Sequence, residues 1–372
     1  MTGTNFTISH CTEGFRNVHP LQIPRGLESE HDFHKYENDF EMQYAGILNY
    51  LKEYGVMTPN RTGISCITAQ HFTITVDDVV TGFPVIRGKK MFPYMALKEI
   101  LWMLKGRTDV EWLRERGVTY WDEWAKEDGT IGPSYGRQFR DFGGEDQLAN
   151  TVKGIALNPY GRRHIINLWN AADLPDMALP PCVMNYHFSC VPRDPGKGDE
   201  NKDFWLDLHV TQRSADMFLG VPYDLLYAGF FMHIMAGMAS FYSEANDDGG
   251  SRPWNRFTPR TLYLTVEDTQ IYENHIDQVN TYLYNVESNR HGIIESTTSC
   301  TCRPVTWEYP GSNKTVELVI SNWLDQIDKD LKTHNIIRLH GPYNLTRVDD
   351  EGISFVGKNE FSYNKIEAQV AV

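Results

Sequence analysis

An α+β fold is predicted by three features of the chain. Segments with helical and strand-like periodicity follow one another without the regular strand–helix alternation of a doubly wound sheet. Several short β-rich runs are separated by turn-forming segments in the middle of the sequence. One long apolar run, Leu225 to Tyr242, has the composition of a buried central helix. Its His233 and its small residues Gly229, Ala236 and Gly237 argue against a membrane span.

Taken in order, residues 1–38 are polar and weakly periodic and read as a peripheral extension of a single domain over 39–372. Phe40 to Tyr54 repeats apolar residues at helical spacing and stops at Gly55. Ser65 to Val80 alternates Ile67, Phe72, Ile74 and Val76 with polar residues, which predicts strands. Met95 to Lys105 reads as an apolar helix ended by Gly106, and Asp109 to Arg116 as a short helix. His164–Trp169, Tyr186–Val191, Phe204–Val210 and Arg260–Val266 are the remaining predicted strands. Insertions are expected near 193–202, 244–256 and 288–346, the last with a helix from Ser321 to His334.

The chain has 372 residues and a formal net charge of −14, so a nucleic-acid track is not expected. Six cysteines, Cys11, Cys66, Cys182, Cys190, Cys300 and Cys302, are too sparse for a disulfide scaffold. No metal site is expected, because Cys300-Thr301-Cys302 is too tight for a metal knuckle and has no second pair. The N-terminal residues lack a basic-then-apolar signal pattern, and a cytoplasmic location, without a membrane, is the expectation.

Candidate chemistry begins at Leu179-Pro180-Pro181-Cys182, where two prolines restrict the backbone just before a nucleophilic side chain. Taken alone, Cys182 also suits a buried structural role. Gln212-Arg213-Ser214-Ala215-Asp216 follows a predicted strand, and arginine beside serine suits an anion. Arg162 and Arg163, and Arg61 in Asn60-Arg61-Thr62-Gly63, add guanidinium groups. Together with a nucleophile they point to a phosphate pocket, in which a nearby arginine would depress the thiol pKa.

These segments, in this order, resemble the signature blocks of the thymidylate synthase family. The resemblance includes Lys98-Glu99-Ile100-Leu101-Trp102, Tyr120-Trp121-Asp122-Glu123-Trp124-Ala125, Gly132 to Gln138, Leu219 to Asp224, and Asp268 to Tyr272. It runs from about Phe40 to Val286 and resumes in the tail Gln369-Val370-Ala371-Val372. It implies a single domain with a mixed sheet and packed helices that dimerises through the sheet. It also implies transfer of a one-carbon unit from 5,10-methylenetetrahydrofolate, as co-substrate, to C5 of dUMP or dCMP. Cys182 would be the nucleophile, with Glu99 and Tyr135 serving proton transfer at the base. Arg61, Arg213, Gln212, Ser214 and Tyr272 would hold the nucleotide, with Arg162 and Arg163 supplied by the partner of a homodimer. Tyr120, Trp121, Leu179, Asp216, Leu219, Gly220, Tyr223 and Ala371 would line the folate site, and Asp216 would also serve the nucleotide.

Three positions depart from the family pattern. Val183 and Gln270 stand where histidines are usual, and Asp224 stands where uracil-specific members carry asparagine. A protonated carboxyl group can donate to cytosine N3 and accept from its 4-amino group, which an asparagine facing uracil does not do. Asp224 in this sense resembles the deoxycytidylate hydroxymethylases of certain bacteriophages, although it also stands where it could cap a helix starting at Leu225. The expectation is 5-hydroxymethyl-dCMP as product. The alternatives are methylation of dCMP, an ordinary thymidylate synthase acting on dUMP, and a non-catalytic binding relative.

Overall fold

The computed structural model of the chain describes residues 40–80, 82–200, 202–246, 254–288, 315–332, 345–349 and 352–355. The extension at 1–38, most of the 288–346 insertion and the tail bearing Ala371 lie outside the described residues.

Helix α1, Phe40–Tyr54, is followed by strand β1, Val56–Thr58, and the long strand β2, Cys66–Val76. Helix α2, Pro93–Leu104, starts with proline in its first turn, where no intrahelical N–H is needed, and stops before Gly106 at φ 73°. Short helices α3, Glu111–Arg114, and α4, Gly136–Arg140, lead to α5, Gln147–Leu157, whose first turn is capped by the Asp146 carboxylate on the Ala149 N–H at 2.9 Å. Strands β3, His164–Asn167, β4, Val183–Pro192, β5, Asp203–Gln212, and β6, Ala215–Asp216, precede the 26-residue helix α6, Gly220–Ala245. Strand β7, Arg256–Tyr272, and helix α7, Ile276–Ser288, complete the core, and helix α8, Val316–Lys332, packs on α2, α5 and α6. A separate hairpin pairs β8, Leu345–Asp349, with β9, Gly352–Phe355.

The main sheet runs β1-β2-β7-β5-β4-β3, with β6 beside β7. It is mixed, because β5 and β6 run parallel to β7 while the other pairs are antiparallel. One cross-strand row, Ile74, Leu264, Val210, Tyr186 and Ile166, is buried. The adjacent row turns the other way and leaves His209 and Ile165 exposed. Helix α6 is buried along much of its length, as Leu225, Leu226, Phe230, Phe231, Met235 and Met238 all lie in the core.

Two expectations need correction. Helix α6 begins at Gly220, so Asp224 lies inside the helix and is not its cap. Pro222 is its third residue, where the missing N–H has no intrahelical partner to lose. Strand β7 extends four residues earlier and six later than the predicted Arg260–Val266.

Candidate active site

The C-terminal ends of β5 and β7, β6, and the N-terminal ends of β2 and β4 meet at one end of the sheet. Cys182 immediately precedes β4 and is a free, half-buried thiol. Its loop is held from two sides. The Cys182 N–H donates to Tyr135 Oη at 3.2 Å, and Ser134 Oγ donates to the Leu179 carbonyl at 2.9 Å. On the other side the Arg213 N–H donates to the Cys182 carbonyl at 2.9 Å. The Arg213 guanidinium donates to the carbonyls of Pro181 at 2.9 Å and Pro180 at 3.2 Å, and its Cζ lies 5.3 Å from the Trp169 ring centroid. Arg213 is thus a clamp on the cysteine loop as well as a positive charge beside it.

The thiol pKa departs from the sequence expectation. Burial pushes it up, and the charges of Arg213 and Arg61 only partly oppose this rise against Asp224 and Asp216. Tyr135 sits at φ 35°, a backbone conformation costly for a residue with a side chain, and its ring meets Trp121 edge-on while its hydroxyl accepts from the Cys182 N–H.

Three carboxyl groups share this end of the molecule. Glu99, on α2, is buried, and its Oε2 accepts from Tyr227 Oη at 2.7 Å and from the Tyr120 hydroxyl. Burial raises its pKa, and the two phenols and the Trp121 indole N–H oppose the rise by favouring the carboxylate. Asp224, in the first turns of α6, is pushed up to about 7 by burial, with Glu99 and Asp216 adding to the rise and Gln212 opposing it. Gln212 is fully buried, yet neither its amide oxygen nor its nitrogen has a hydrogen-bond partner of good geometry among the described residues. The amide faces Asp224 in a loose pairing and keeps hydrogen-bonding capacity for a polar ligand or water. Asp216 turns its Oδ1 onto the backbone N–H groups of Phe218 at 2.8 Å and Leu219 at 3.1 Å, and its Oδ2 lies 3.8 Å from His275 Nδ1.

The arginines do not all converge. Arg61, in the turn before β2, influences both Cys182 and Tyr272 electrostatically, and Tyr272 pairs with Cys66 across the sheet. Arg162 and Arg163 are exposed and immediately precede β3. His164 pairs with Phe188, six residues up β4 from Cys182, which at about 3.4 Å per residue is roughly 20 Å away. A single chain therefore does not bring these two arginines to its own cysteine. Ser214, at the end of β5, is half-buried beside Arg213.

Leu179, Leu219, Tyr120 and Tyr223 are half-buried apolar walls, and Trp121 is buried against Trp102, Trp124 and Tyr135. The Trp121 indole N–H faces the Glu99 carboxylate and favours its charged form, at a geometry short of a well-formed hydrogen bond.

Sequence reasoning missed Tyr227, Lys89 and His275. Tyr227 was discoverable, because it lies three residues after Asp224 on the same helical face. Lys89 is buried, donates to the Phe218 carbonyl, and has its pKa lowered to about 8 by burial against the opposing charge of Asp216. A lysine pair after a glycine carries no signal of such burial.

The family model described as thymidylate synthase matches residues 42–295, which span every strand of the main sheet and every described site residue above. The cysteine clamped at the sheet end, the buried glutamate and the apolar walls are thus seated in a family scaffold for folate-dependent one-carbon transfer to a pyrimidine nucleotide, and this chain belongs to the thymidylate synthase family.

Proposed function

We propose that the chain converts dCMP to 5-hydroxymethyl-dCMP. The observation that carries this reading is Asp224, a carboxyl group raised to about 7, loosely paired with the buried Gln212 amide and within electrostatic reach of Cys182. A carboxyl that keeps its proton near neutrality donates to cytosine N3 and accepts from the 4-amino group. Uracil would face it with the opposite pattern and leave polar groups unpaired. The alternative role for Asp224 as a helix cap is removed by the earlier start of α6.

In this reading the Cys182 sulfur adds to C6 and makes C5 nucleophilic. Bound methylenetetrahydrofolate supplies the one-carbon unit and is held by Trp121, Asp216, Leu179, Leu219, Gly220, Tyr120 and Tyr223. Arg61, Arg213, Ser214 and Tyr272 hold the nucleotide, with Arg162 and Arg163 contributed by a second copy. Tyr135, bonded to the Cys182 N–H, orients the nucleophile loop, and Glu99 accepts protons near the base. The loop clamp of Arg213 fixes where the sulfur stands.

One observation favours a second product. Trp121 is packed among Trp102, Trp124 and Tyr135, and so dry a wall favours hydride transfer and a methyl group. Mass spectrometry of the products made from dCMP and from dUMP with methylenetetrahydrofolate decides both base and outcome. The expected result is a hydroxymethyl product from dCMP and little product from dUMP. Preferential conversion of dUMP, or a methyl product alone, would overturn the reading.

A further inference from the structure

Glu99 is held in an unusual manner. Its two phenol hydrogen bonds fall on one oxygen, Oε2, which takes the Tyr227 hydroxyl at 2.7 Å and the Tyr120 hydroxyl. The two phenol oxygens are 3.5 Å apart. They come from separate elements, Tyr227 from α6 and Tyr120 from the segment preceding the turn at Asp122–Trp124. The Trp121 indole N–H, which has no well-formed bond to any other acceptor among the described residues, faces the same carboxylate and favours its charged form. The arrangement saturates one oxygen, fixes the rotamer, and leaves the Trp121 N–H as the remaining donor facing the carboxylate. A water bound there would have both a base and an orienting donor.

We propose that Tyr120 and Tyr227 are positioning residues that hold Glu99 so that its other oxygen serves the water ending the reaction. The inference rests on the hydroxymethyl reading above. After the folate departs, the base carries an exocyclic methylene at C5 and the Cys182 sulfur at C6. The water oxygen bonds to the methylene carbon, and its proton passes to Glu99 Oε1. The methylene π electrons move into the ring, C5=C6 re-forms, and the C6–S bond breaks to release the Cys182 thiolate. No oxidant or reductant is needed. Without the phenols, the carboxylate is free to rotate and burial favours its protonated, useless form.

The test uses Tyr120→Phe, Tyr227→Phe and the double variant, with dCMP tritiated at C5, methylenetetrahydrofolate and 2-mercaptoethanol. Tritium released to water counts the molecules that reach the methylene stage. Chromatography and mass spectrometry count hydroxymethyl, methyl and thiol-adduct products. In the double variant, hydroxymethyl product per tritium released should fall roughly tenfold or more, the scale of a misplaced general base, with methyl or thiol adduct making up the difference. The pH at which the hydroxymethyl fraction is half-maximal should also rise, because two donors to the charged form have been removed. Being a ratio within one reaction, the readout is insensitive to the fraction of folded protein. An unchanged ratio and pH profile in the double variant, beside a wild type that makes hydroxymethyl product, overturns the pairing alone. A wild type that releases tritium but yields only methyl product overturns both the pairing and the function on which it rests.

Discussion

At Asp224 a change of one atom type alters both recognition and stability, and the two effects have different pH dependences. Asp224→Asn preserves size and shape while replacing a titrating acid by an amide, so packing around α6 is left alone. Two donor–acceptor mismatches of about 1–3 kcal/mol each should move the relative kcat/KM for dCMP over dUMP by on the order of a hundredfold toward dUMP. With dCMP, the protonated acid is the working form, so kcat/KM should decline as pH rises through about 7, and the variant should lack that limb. The stability sign follows from linkage. The folded-state pKa lies above the unfolded value of about 3.9, so the native state binds the proton more tightly. Stability contributed by the proton is present at low pH and lost between about 4 and 7. Urea unfolding of the two proteins should therefore diverge over that window, with the variant the more stable at pH 8. Equal unfolding midpoints across pH would mean that Asp224 is not buried as its surroundings indicate.

At the scale of elements, what was legible in the sequence was whatever local periodicity controls. Helix α1 matches its predicted bounds, because its apolar stripe and the terminating Gly55 are both local signals. Helix α6 was misjudged at its start, where Gly220 and Pro222 look like breakers. The Asp216 carboxylate receives the N–H groups of Phe218 and Leu219 just ahead of the helix, and proline costs nothing in a first turn. The second half of β7 was missed because Glu267, Asp268 and Gln270 break the apolar pattern. Tertiary pairing stabilises it instead, with β2 on one side, β6 on the other, and Glu267 bonded to His71 at 3.0 Å. Cys182, Glu99 and Asp224 were readable as family motifs and the placement of Tyr227 from its helical spacing to Asp224, whereas the burial of Lys89 depends on packing that no local pattern records. Helix α8 lies beyond the family match at 42–295 and was predicted to begin five residues later than it does. Its buried residues Val316, Val319, Ile320, Leu324 and Ile327 recur at helical spacing, and Trp323 lies where a side chain at Gly237 would collide, 2.5 Å from the added carbon. Asp328 receives Arg116 in a two-pronged bond at 3.1 and 3.2 Å, while the guanidinium lies 3.6 Å over Trp112. The helix thus braces α2 and α6, which carry Glu99 and Asp224. Leu324→Ala should destabilise the protein by about 2–4 kcal/mol in urea unfolding. An unchanged midpoint would mean that the added helix docks without contributing to the common core.

At the scale of the whole molecule, the positions of Arg162 and Arg163 pose a geometric problem that a second copy would solve. They precede the outermost strand, β3, and β3 runs antiparallel to β4, so they stand away from the end where Cys182 begins its strand. The sheet face turned away from the buried row carries Tyr263, His209, His187 and Ile165 in register across four strands. His209 stacks on Tyr263 at 4.5 Å, and Ile165 is exposed. Apolar and aromatic groups on an open sheet face are suited to burial against the same face of another copy, and a two-fold axis there would carry each pair of arginines toward the other chain's phosphate site. On this reading each active site is shared. Arg162→Ala/Arg163→Ala subunits lack the donated guanidinium groups, whereas Cys182→Ser subunits lack the nucleophile, since a hydroxyl is far less ionised than a thiol. Each homodimer should be inactive for a different reason. In a mixed dimer, one site combines an intact Cys182 with intact arginines from across the interface, and the other has neither. Mixing the two proteins under conditions of verified subunit exchange should restore activity, approaching about a quarter of the wild-type level at equal mixing, because half of the dimers are hybrids with one complete site each. If exchange is demonstrated and no activity returns, the arginines serve their own chain or none, and the shared-site arrangement is wrong.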